Sequence, residues 1–251
     1  MPRVFGNAMP KSGSHLLIQI LEGLAGIGPF VNPGLPPVNR GETNRKLTER
    51  QVLAAIRSMQ PGDIRYGYLH CEEPWRSAIP GEGRAAIFVF RDPRDWIISQ
   101  IFYAKGMHEG HLLHAHYNRL ESMEARIDAA IRGVEEGELH APGVVERYGH
   151  YLGWLETPGV LCLRFEDLIL EREAAIGRIL DYLEAFDFRP EVSRLEAIRS
   201  LAEAVDPQRS GTFRRGQPGE WREHFTAGNK RLFADLAAGL QDALGYGVAK
   251  G

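Results

Sequence analysis

An almost unbroken apolar run at residues 85–90 ends abruptly at the polar residues Arg91 and Asp92. A strand that is apolar on both faces is typical of a parallel sheet covered by helices on each side. Parallel neighbours can be joined only by long crossover connections, usually helices, so this one strand requires the rest of the chain to supply strands and helices in alternation.

Strand and helix patterns do alternate along the chain. Strands are predicted at residues 4–9, 64–69, 85–90 and 160–165. Helical spacing of apolar residues begins at Leu16 and again after residue 165, where it continues to about residue 183. This order predicts an α/β fold with a central parallel sheet flanked by helices. With 251 residues, 43% of them hydrophobic, the chain is expected to form a single domain, residues 1–251, around one core.

Capping patterns mark the predicted helix starts. Thr48 and Gln51 fit a capping box that opens a helix to about residue 59, and Asp92 can cap a helix that begins at Pro93, with Asp95 in its first turn. Other helices are predicted at residues 121–132, 190–204 and 229–244. Residues 28–45 lack periodicity and are predicted to form a long ordered loop, and residues 107–151 an insertion on the side of a second substrate.

Charge and cysteine content exclude several classes of partner. The net charge is −3, which gives no reason to expect nucleic acid or an anionic membrane, so any anion site must be local. No apolar stretch is long enough for a membrane span, and no signal-peptide pattern opens the chain. Cys71 and Cys162 show neither zinc-ligand spacing nor a disulfide framework, which favours the reducing cytoplasm.

Residues 10–15, Pro-Lys-Ser-Gly-Ser-His, lie between the first strand and the first helix. Successive N–H groups at a helix N-terminus form a site for an anion, to which Lys11 adds a charge and Gly13 allows close approach. The Walker A pattern does not fit, because Gly6 lies one residue too close to Lys11 and Pro10 stands at the second glycine position. The loop is therefore predicted to bind phosphate in another way, or to be an ordinary turn.

Two further segments suit phosphate. The guanidinium of Arg91 can grip a phosphate with two hydrogen bonds, and the Ser99 hydroxyl can add another donor. An arginine at a strand end would repel a metal ion, which disfavours a Mg²⁺-dependent kinase. The segment 213–221, Phe-Arg-Arg-Gly-Gln-Pro-Gly-Glu-Trp, joins two arginines to glycines whose amides can approach an anion.

These segments together resemble the sulfotransferases that use 3′-phosphoadenosine-5′-phosphosulfate (PAPS), of which the chain is identified as a bacterial member. Residues 10–15 resemble the 5′-phosphosulfate loop P-K-[SA]-G-T, residues 91–99 the element R-x-P-x-D-x-x-x-S, and residues 214–221 the segment R-K-G-x-x-G-D-W. The resemblance implies a P-loop-like sulfotransferase fold, PAPS as co-substrate, adenosine 3′,5′-bisphosphate (PAP) as product, and no metal.

The resemblance also assigns residues to the two ends of the nucleotide. It implies that Lys11, Ser12, Gly13, Ser14 and His15 bind the 5′ end, and that Arg91, Ser99, Arg214, Arg215 and Gly216 bind the 3′-phosphate. His70, at the end of the second strand, stands where the family has the general base toward the acceptor, and Lys11 would assist catalysis at the leaving phosphate. The eukaryotic cytosolic pattern has a lysine two residues before this histidine, whereas this chain has Tyr68.

Other functions stay open at this stage. The chain could be a PAP-binding protein without turnover, or, with less support, a nucleotide-dependent kinase. Four histidines at positions 108, 111, 114 and 116 suggest a metal site, but no carboxylate or cysteine completes one. The expected partner is a small acceptor carrying a hydroxyl or amine, and the sequence names neither the acceptor nor an oligomeric state.

Overall fold

The computed structural model describes residues 1–31, 37–41, 45–81, 83–211 and 214–247. The predicted loop at residues 28–45 lies partly outside these ranges, as does Phe213 at the start of the C-terminal glycine-rich segment.

The strands confirm the predicted parallel sheet. They are β1 (Arg3–Ala8), β2 (Ile64–Gly67), β3 (Arg84–Phe90), β4 (Gly133–Glu136), β5 (Leu139–Pro142) and β6 (Val160–Arg164). In the described residues, four of them form a sheet in the order β2-β1-β3-β6, in which every neighbouring pair is parallel. The predicted α/β class is therefore correct. The strands β4 and β5 form a separate antiparallel pair.

The described helices lie between and after these strands. They are α1 (Ser14–Gly23), α2 (Glu49–Arg57), α3 (Trp75–Ala78), α4 (Pro93–Phe102), α5 (His114–Arg119), α6 (Met123–Arg132), α7 (Val144–Leu152), α8 (Phe165–Leu170), α9 (Arg172–Glu184), α10 (Arg194–Glu203), α11 (Trp221–His224) and α12 (Ala227–Ala243). Both predicted caps are confirmed: Thr48 and Gln51 form a capping box, and the Asp92 side chain accepts a hydrogen bond from the Arg94 N–H.

Helix boundaries differ from the predictions where a cap decides them. A capping box of Ser193 and Glu196 starts α10 later than predicted, and one of Thr226 and Asn229 starts α12 earlier. The helix predicted to run to residue 183 is divided into α8 and α9 at Glu171, whose ψ of 42° is not helical.

The chain divides into two compact units. The first comprises residues 1–90 and 153–213 and contains the parallel sheet. On one face of the sheet, fully buried strand residues meet apolar side chains of α1, α9 and α10, among them Val4, Ile87, Leu163, Ile20, Ile179 and Leu201. The core of this unit thus holds β1 and α1 rigidly on either side of the loop that joins them.

The second unit comprises residues 91–152 and 214–251. In it α4 packs against α6, α7 and α11, while α12 packs against α6 and α7. The hairpin of β4 and β5 was not predicted, because its polar sequence offers little strand signal. Gly133 (φ 91°) and Gly137 (φ 59°) provide its left-handed backbone positions.

The prediction of one domain with an insertion at residues 107–151 stays a prediction. The structure shows that this segment carries α5, α6, the β4–β5 hairpin and α7. Among the described residues, no helix combines the length and apolar character that a membrane crossing would need.

Candidate active site

The loop between β1 and α1 has an unusual backbone. Lys11 adopts a left-handed conformation (φ 69°), as does Gly13 (φ 93°), and the Ser12 N–H closes a turn onto the Met9 carbonyl (3.1 Å). α1 then begins at Ser14, and its N-cap Gly13 supplies no capping side chain. Because the first N–H groups of a helix need an acceptor from outside the helix, this end is suited to an anion.

Gly13 is required at its position for two reasons. Its positive φ is costly for a residue with a side chain. In addition, a Cβ on Gly13 would lie 2.5 Å from the ring of Phe165, which is buried at the start of α8. The loop therefore lies directly against an aromatic ring of its own unit, which fixes how the backbone turns into α1.

The serines of the loop are buried. Ser12 is fully buried, and among the described residues its Oγ has no hydrogen-bond partner. Ser14 is almost fully buried, and its Oγ accepts a hydrogen bond from the Tyr68 hydroxyl (3.0 Å). A buried hydroxyl without a partner costs free energy unless a ligand or a water molecule supplies one.

Lys11 gives the same loop its positive charge. Lys11 is half-buried. Desolvation by the surrounding residues, with the Lys11 charge as the smaller cause, lowers the pKa of His15. His15 is therefore mostly neutral near pH 7, and Lys11 is the residue of this loop that carries the full positive charge.

His70 follows β2 on a backbone that is tightly held. The buried Asn7 side chain donates to the Leu69 carbonyl and accepts from the Leu69 N–H, both at 2.9 Å. The Trp154 indole donates to the same carbonyl (2.9 Å). The His70 side chain itself is 42% exposed, with its Nδ1 3.8 Å from a Glu72 carboxylate oxygen. The peptide before His70 is thus fixed while the ring stays accessible.

The roles of Asn7 and Trp154 were not predicted from the sequence. A polar residue inside an apolar strand was the available signal for Asn7, whereas nothing in the sequence connects Trp154 to a residue 85 positions away.

Cys71 does not form a dyad with His70. Its Sγ lies 3.6 Å from the Thr157 hydroxyl, and a Cβ on Gly153 would approach that sulfur to 2.7 Å. Both cysteines are free thiols, and burial is the main cause that raises the pKa of Cys162 to about 12. The Cys162 thiol is therefore not suited to act as a nucleophile near neutral pH.

In the second unit, Arg91 and Ser99 flank the first turns of α4. Arg91 is 7% exposed, and its carbonyl accepts a hydrogen bond from the Tyr148 hydroxyl (2.9 Å). The neighbouring Asp92 caps the helix and forms an ion pair with Arg94, in which 2.6 Å separates the carboxylate Oδ2 from the guanidinium Nη2. Ser99 lies half-buried two turns into α4, four residues after Asp95 and therefore on the same face.

Asp95 attaches the C-terminal glycine-rich segment, residues 214–221, to α4. Its carboxylate is 1% exposed and accepts hydrogen bonds from the N–H groups of Gly219 (2.6 Å) and Trp221 (2.9 Å). Burial is the largest influence on this carboxyl and raises its pKa, although Arg91 and the two N–H groups oppose the change. The sequence predicted only that Asp95 lies in the first turn of α4.

The two arginines of the glycine-rich segment pair with nearby glutamates. Arg214 forms a two-pronged ion pair with Glu220, whose side chain is 3% exposed, and its guanidinium lies 4.0 Å from the centre of the Phe102 ring. Arg215 pairs with the exposed Glu223 (2.7 Å). Gly216 has the positive φ of 62°. Arg214 is therefore tied to a buried carboxylate, while Arg215 pairs closely with the exposed Glu223 and makes a longer contact, 3.5 Å, with the same buried Glu220.

Opposing influences act on Glu220. Burial, the largest of them, would raise its pKa, but hydrogen bonds and charge from Arg214, with His224 and Arg215, outweigh it and lower the pKa below the usual value.

The histidines of residues 108–116 make local hydrogen bonds. His111 contacts the Gln100 amide (2.9 Å), His114 the Ala104 carbonyl (3.0 Å) and His116 the Glu136 carboxylate (2.9 Å). In the part of the chain that the structure describes, no group of three or more His, Cys, Asp or Glu side chains could hold a metal ion.

Comparison with known families gives a match over most of the chain. The model of the family described as Sulfotransferase domain matches residues 85–238, which are 154 of the 251 residues. The range includes Arg91, Ser99 and residues 214–216, and it begins after the Lys11 loop and His70. Among curated proteins, Cytosolic sulfotransferase 11 of Arabidopsis thaliana is 24% identical over 169 residues. That match covers 60% of this chain and 45% of the plant protein, less than half of its length.

Solved structures share the fold over nearly the whole chain. Mouse sulfotransferase SULT7A1 complexed with PAP superposes with a TM-score of 0.64 at 15% identity, covering 98% of this chain and 87% of the mouse chain. Retinol dehydratase in complex with androsterone and the inactive cofactor PAP superposes with a TM-score of 0.61 at 16% identity, covering 99% of this chain and 82% of that one. The predicted sulfotransferase fold is confirmed.

We expect Asn7→Ala to lower the free energy of unfolding by about 2 kcal/mol, because it leaves the buried Leu69 N–H without its acceptor. Urea denaturation measures this change. Asn118→Ala, which removes an exposed amide, is the matched control and should change stability by about 0.5 kcal/mol or less. Equal effects of the two substitutions would contradict the structural role of Asn7.

Glu220→Gln should lower the free energy of unfolding by about 2 kcal/mol at pH 7, because a charged hydrogen-bonded pair with Arg214 is lost. The pKa of Glu220 is lower in the folded than in the unfolded chain, so its contribution is complete above the unfolded pKa of about 4.3 and disappears as the pH falls through the folded value. The difference between wild type and variant, measured by urea denaturation from pH 3.5 to 8, should therefore be constant above about pH 5 and shrink below about pH 4. Glu223→Gln, at the exposed partner of Arg215, is the control and should show no such difference at any pH.

Proposed function

Because the chain belongs to the Sulfotransferase domain family, we propose that it is an enzyme that transfers a sulfuryl group from PAPS to a hydroxyl or amine acceptor and releases PAP. The observation that carries the proposal is the loop before α1. It combines two left-handed residues, a half-buried lysine and a fully buried hydroxyl that has no partner among the described residues. Such a loop is built for a strongly charged oxyanion.

The loop suits the 5′ end of PAPS. The Ser12 hydroxyl, the Ser14 hydroxyl and the first N–H groups of α1 are donors, and Lys11 supplies the charge that a phosphosulfate requires. Gly13 keeps the backbone free of a side chain at the tightest point of the turn. His15, whose pKa is lowered, adds a neutral ring that can donate a hydrogen bond.

We assign the 3′-phosphate to residues of the second unit. Arg91, just before α4, can form two hydrogen bonds to a phosphate, and Ser99 on α4 can donate another from its hydroxyl. Of the two arginines in the glycine-rich segment, Arg215 is the better candidate. Its nearer partner, Glu223, is exposed, so a phosphate can replace that carboxylate at little cost, and its contact with the buried Glu220 is longer, at 3.5 Å. Arg214 would act by holding Glu220 and hence the segment that carries Gly216.

In the proposed reaction, His70 acts on the acceptor and Lys11 acts on the leaving phosphate. PAPS supplies the sulfuryl group, whose bond to the 5′-phosphate oxygen breaks while a bond to the acceptor oxygen or nitrogen forms. His70 takes the acceptor proton, and the Glu72 carboxylate, 3.8 Å from its Nδ1, favours the protonated ring that results. Lys11 and the loop amides stabilise the charge that develops on the leaving phosphate, so the scheme uses no metal.

We further propose a small molecule as acceptor and the cytoplasm as compartment. The structure of retinol dehydratase that shares this fold holds androsterone, a small molecule, together with PAP. Free Cys71 and Cys162 agree with a reducing environment. No nucleic acid or membrane takes part in the scheme.

The two ends of the nucleotide can be tested separately. We expect Arg91→Ala to raise the dissociation constant of PAP by about 10- to 100-fold, because a charge-assisted hydrogen bond contributes about 1.5–3 kcal/mol. The affinity for 5′-AMP, which lacks the 3′-phosphate, should stay nearly unchanged. Lys11→Ala should weaken both ligands, because both carry the 5′-phosphate. Isothermal calorimetry with PAP, 5′-AMP and 3′-AMP measures these affinities.

Arg57→Ala, at the exposed end of α2, is the charge-matched control and should leave all three affinities unchanged. Wild-type protein should also gain more thermal stability from PAP than from Mg²⁺-ATP at the same concentration. Equal stabilisation by Mg²⁺-ATP, or equal losses for PAP and 5′-AMP in Arg91→Ala, would refute the assignment.

His70→Ala should lower turnover at least about 10²-fold, the scale of general base catalysis, without weakening PAP. Transfer from labelled PAPS to a panel of phenols, alcohols and amines measures turnover. His140→Ala, at an exposed histidine of the β4–β5 hairpin, should retain activity. Full activity of His70→Ala would assign the base to another residue.

A further inference from the structure

Tyr68 and Ser14 are joined by a hydrogen bond between hydroxyl groups, 3.0 Å long, across 54 residues of sequence. We propose that Tyr68 is a positioning residue for the reaction: it orients the Ser14 hydroxyl so that Ser14 donates its own proton to the 5′-phosphate of PAPS. The inference rests on the proposed function and adds to it a residue that the phosphate motifs do not contain.

The Tyr68 side chain is held in place by its backbone and by its ring contacts. Tyr68 follows the last residue of β2, Gly67, and precedes Leu69, whose N–H and carbonyl are both held by Asn7. Its ring packs against the core of the first unit and meets the ring of Tyr66 edge-on, with 6.1 Å between the centroids. Because backbone and ring contacts already hold the Tyr68 phenol in place, it loses little conformational entropy when it forms this hydrogen bond.

The direction of the hydrogen bond determines what Ser14 can do. A serine hydroxyl has one proton to donate and two lone pairs to accept with. Since Tyr68 donates to the Ser14 Oγ, one lone pair is occupied and the serine proton must point to another acceptor. Ser14 is the first residue of α1, at the positive end of the helix, where an anion is the natural acceptor.

The pair is also suited to the transition state. A hydroxyl that accepts one hydrogen bond becomes a stronger donor in the next, because chains of hydrogen bonds polarise one another. The 5′-phosphate gains charge as its bond to sulfur breaks, so a donor aimed at it is worth more in the transition state than in bound PAPS. Tyr68 thus acts on the leaving phosphate through Ser14, without contributing a charge of its own.

The inference is tested with PAP bound to the protein, which needs no acceptor. Phosphorus NMR resolves the two phosphates of PAP, and a pH titration gives the pKa of each. Tyr68→Phe removes only the hydroxyl. It should raise the pKa of the 5′-phosphate by a few tenths of a pH unit up to about one unit, because a donor to the dianion is weakened. The 3′-phosphate of the same molecule is the internal control and should not change.

Calorimetry provides a second measurement. Tyr68→Phe should weaken PAP about three- to tenfold and leave 3′-AMP, which lacks the 5′-phosphate, unchanged. Ser14→Ala should weaken PAP further, and Ser14→Thr, which keeps a hydroxyl, should retain most of the affinity. In the Ser14→Ala background, Tyr68→Phe should have no additional effect, since its action passes through Ser14.

The outcomes separate the two hypotheses. If wild-type protein binds no PAP, the proposed function fails and this inference fails with it. If PAP binds but Tyr68→Phe leaves the 5′-phosphate unaffected, or shifts both phosphates alike, the inference alone is wrong. Losses from Tyr68→Phe and Ser14→Ala that simply add in the double variant would also overturn it. A melting temperature for Tyr68→Phe near that of wild type establishes that the variant is folded.

Discussion

The parallel pairing of β1 with β2 on one side and β3 on the other is the constraint on which the first unit depends. Parallel neighbours present their carboxyl ends at one edge, so the loop after β1 and residues 68–70 after β2 emerge together. Asn7 continues this pairing beyond the last strand residue, because its amide replaces the missing backbone partner of Leu69. The link between Tyr68 and Ser14 then joins the two exits directly.

The loop after β1 contains energetically unfavourable features at the position where the ligand is expected to bind. A left-handed lysine costs about 1–2 kcal/mol, and a buried serine hydroxyl without a partner adds to that cost. Such features persist only where the surrounding structure imposes them. Here the Phe165 ring against Gly13 and the rigid ends of β1 and α1 impose the conformation, and an oxyanion would offset its cost.

In the second unit, electrostatics decides how the glycine-rich segment is held. Its charged residues Arg214, Arg215 and Glu220 give it a net charge of +1, and the arginines pair with Glu220 and with Glu223 of α11. Asp95 holds the backbone at Gly219 and Trp221, and the pair of Arg214 with Glu220 fixes the turn before them. Arg214, one of the residues that the family resemblance assigns to the 3′-phosphate, thus also stabilises the segment through Glu220. Arg215 is more exposed, and the nearer of its two carboxylate partners, Glu223, lies at the surface where a ligand can replace it.

Local chemistry explains what could be predicted from the sequence. The apolar run at residues 85–90, the caps at Thr48 and Asp92, and the Lys11 loop depend on neighbours a few residues apart, and they indicated the parallel sheet and the phosphate segments. The antiparallel hairpin at β4 and β5 and the break at Glu171 lay beyond such patterns, because their sequences carry weak local signals.

The α/β class and the helix caps can be derived from the sequence alone, since each follows from periodicity or short motifs. Three contacts become visible only in the folded chain: Asn7 and Trp154 hold the peptide before His70, Asp95 binds a segment 124 residues away, and Tyr68 meets Ser14. These contacts join residues that are distant in sequence. Their partners are selected by the packing of strands and helices, which no local pattern encodes.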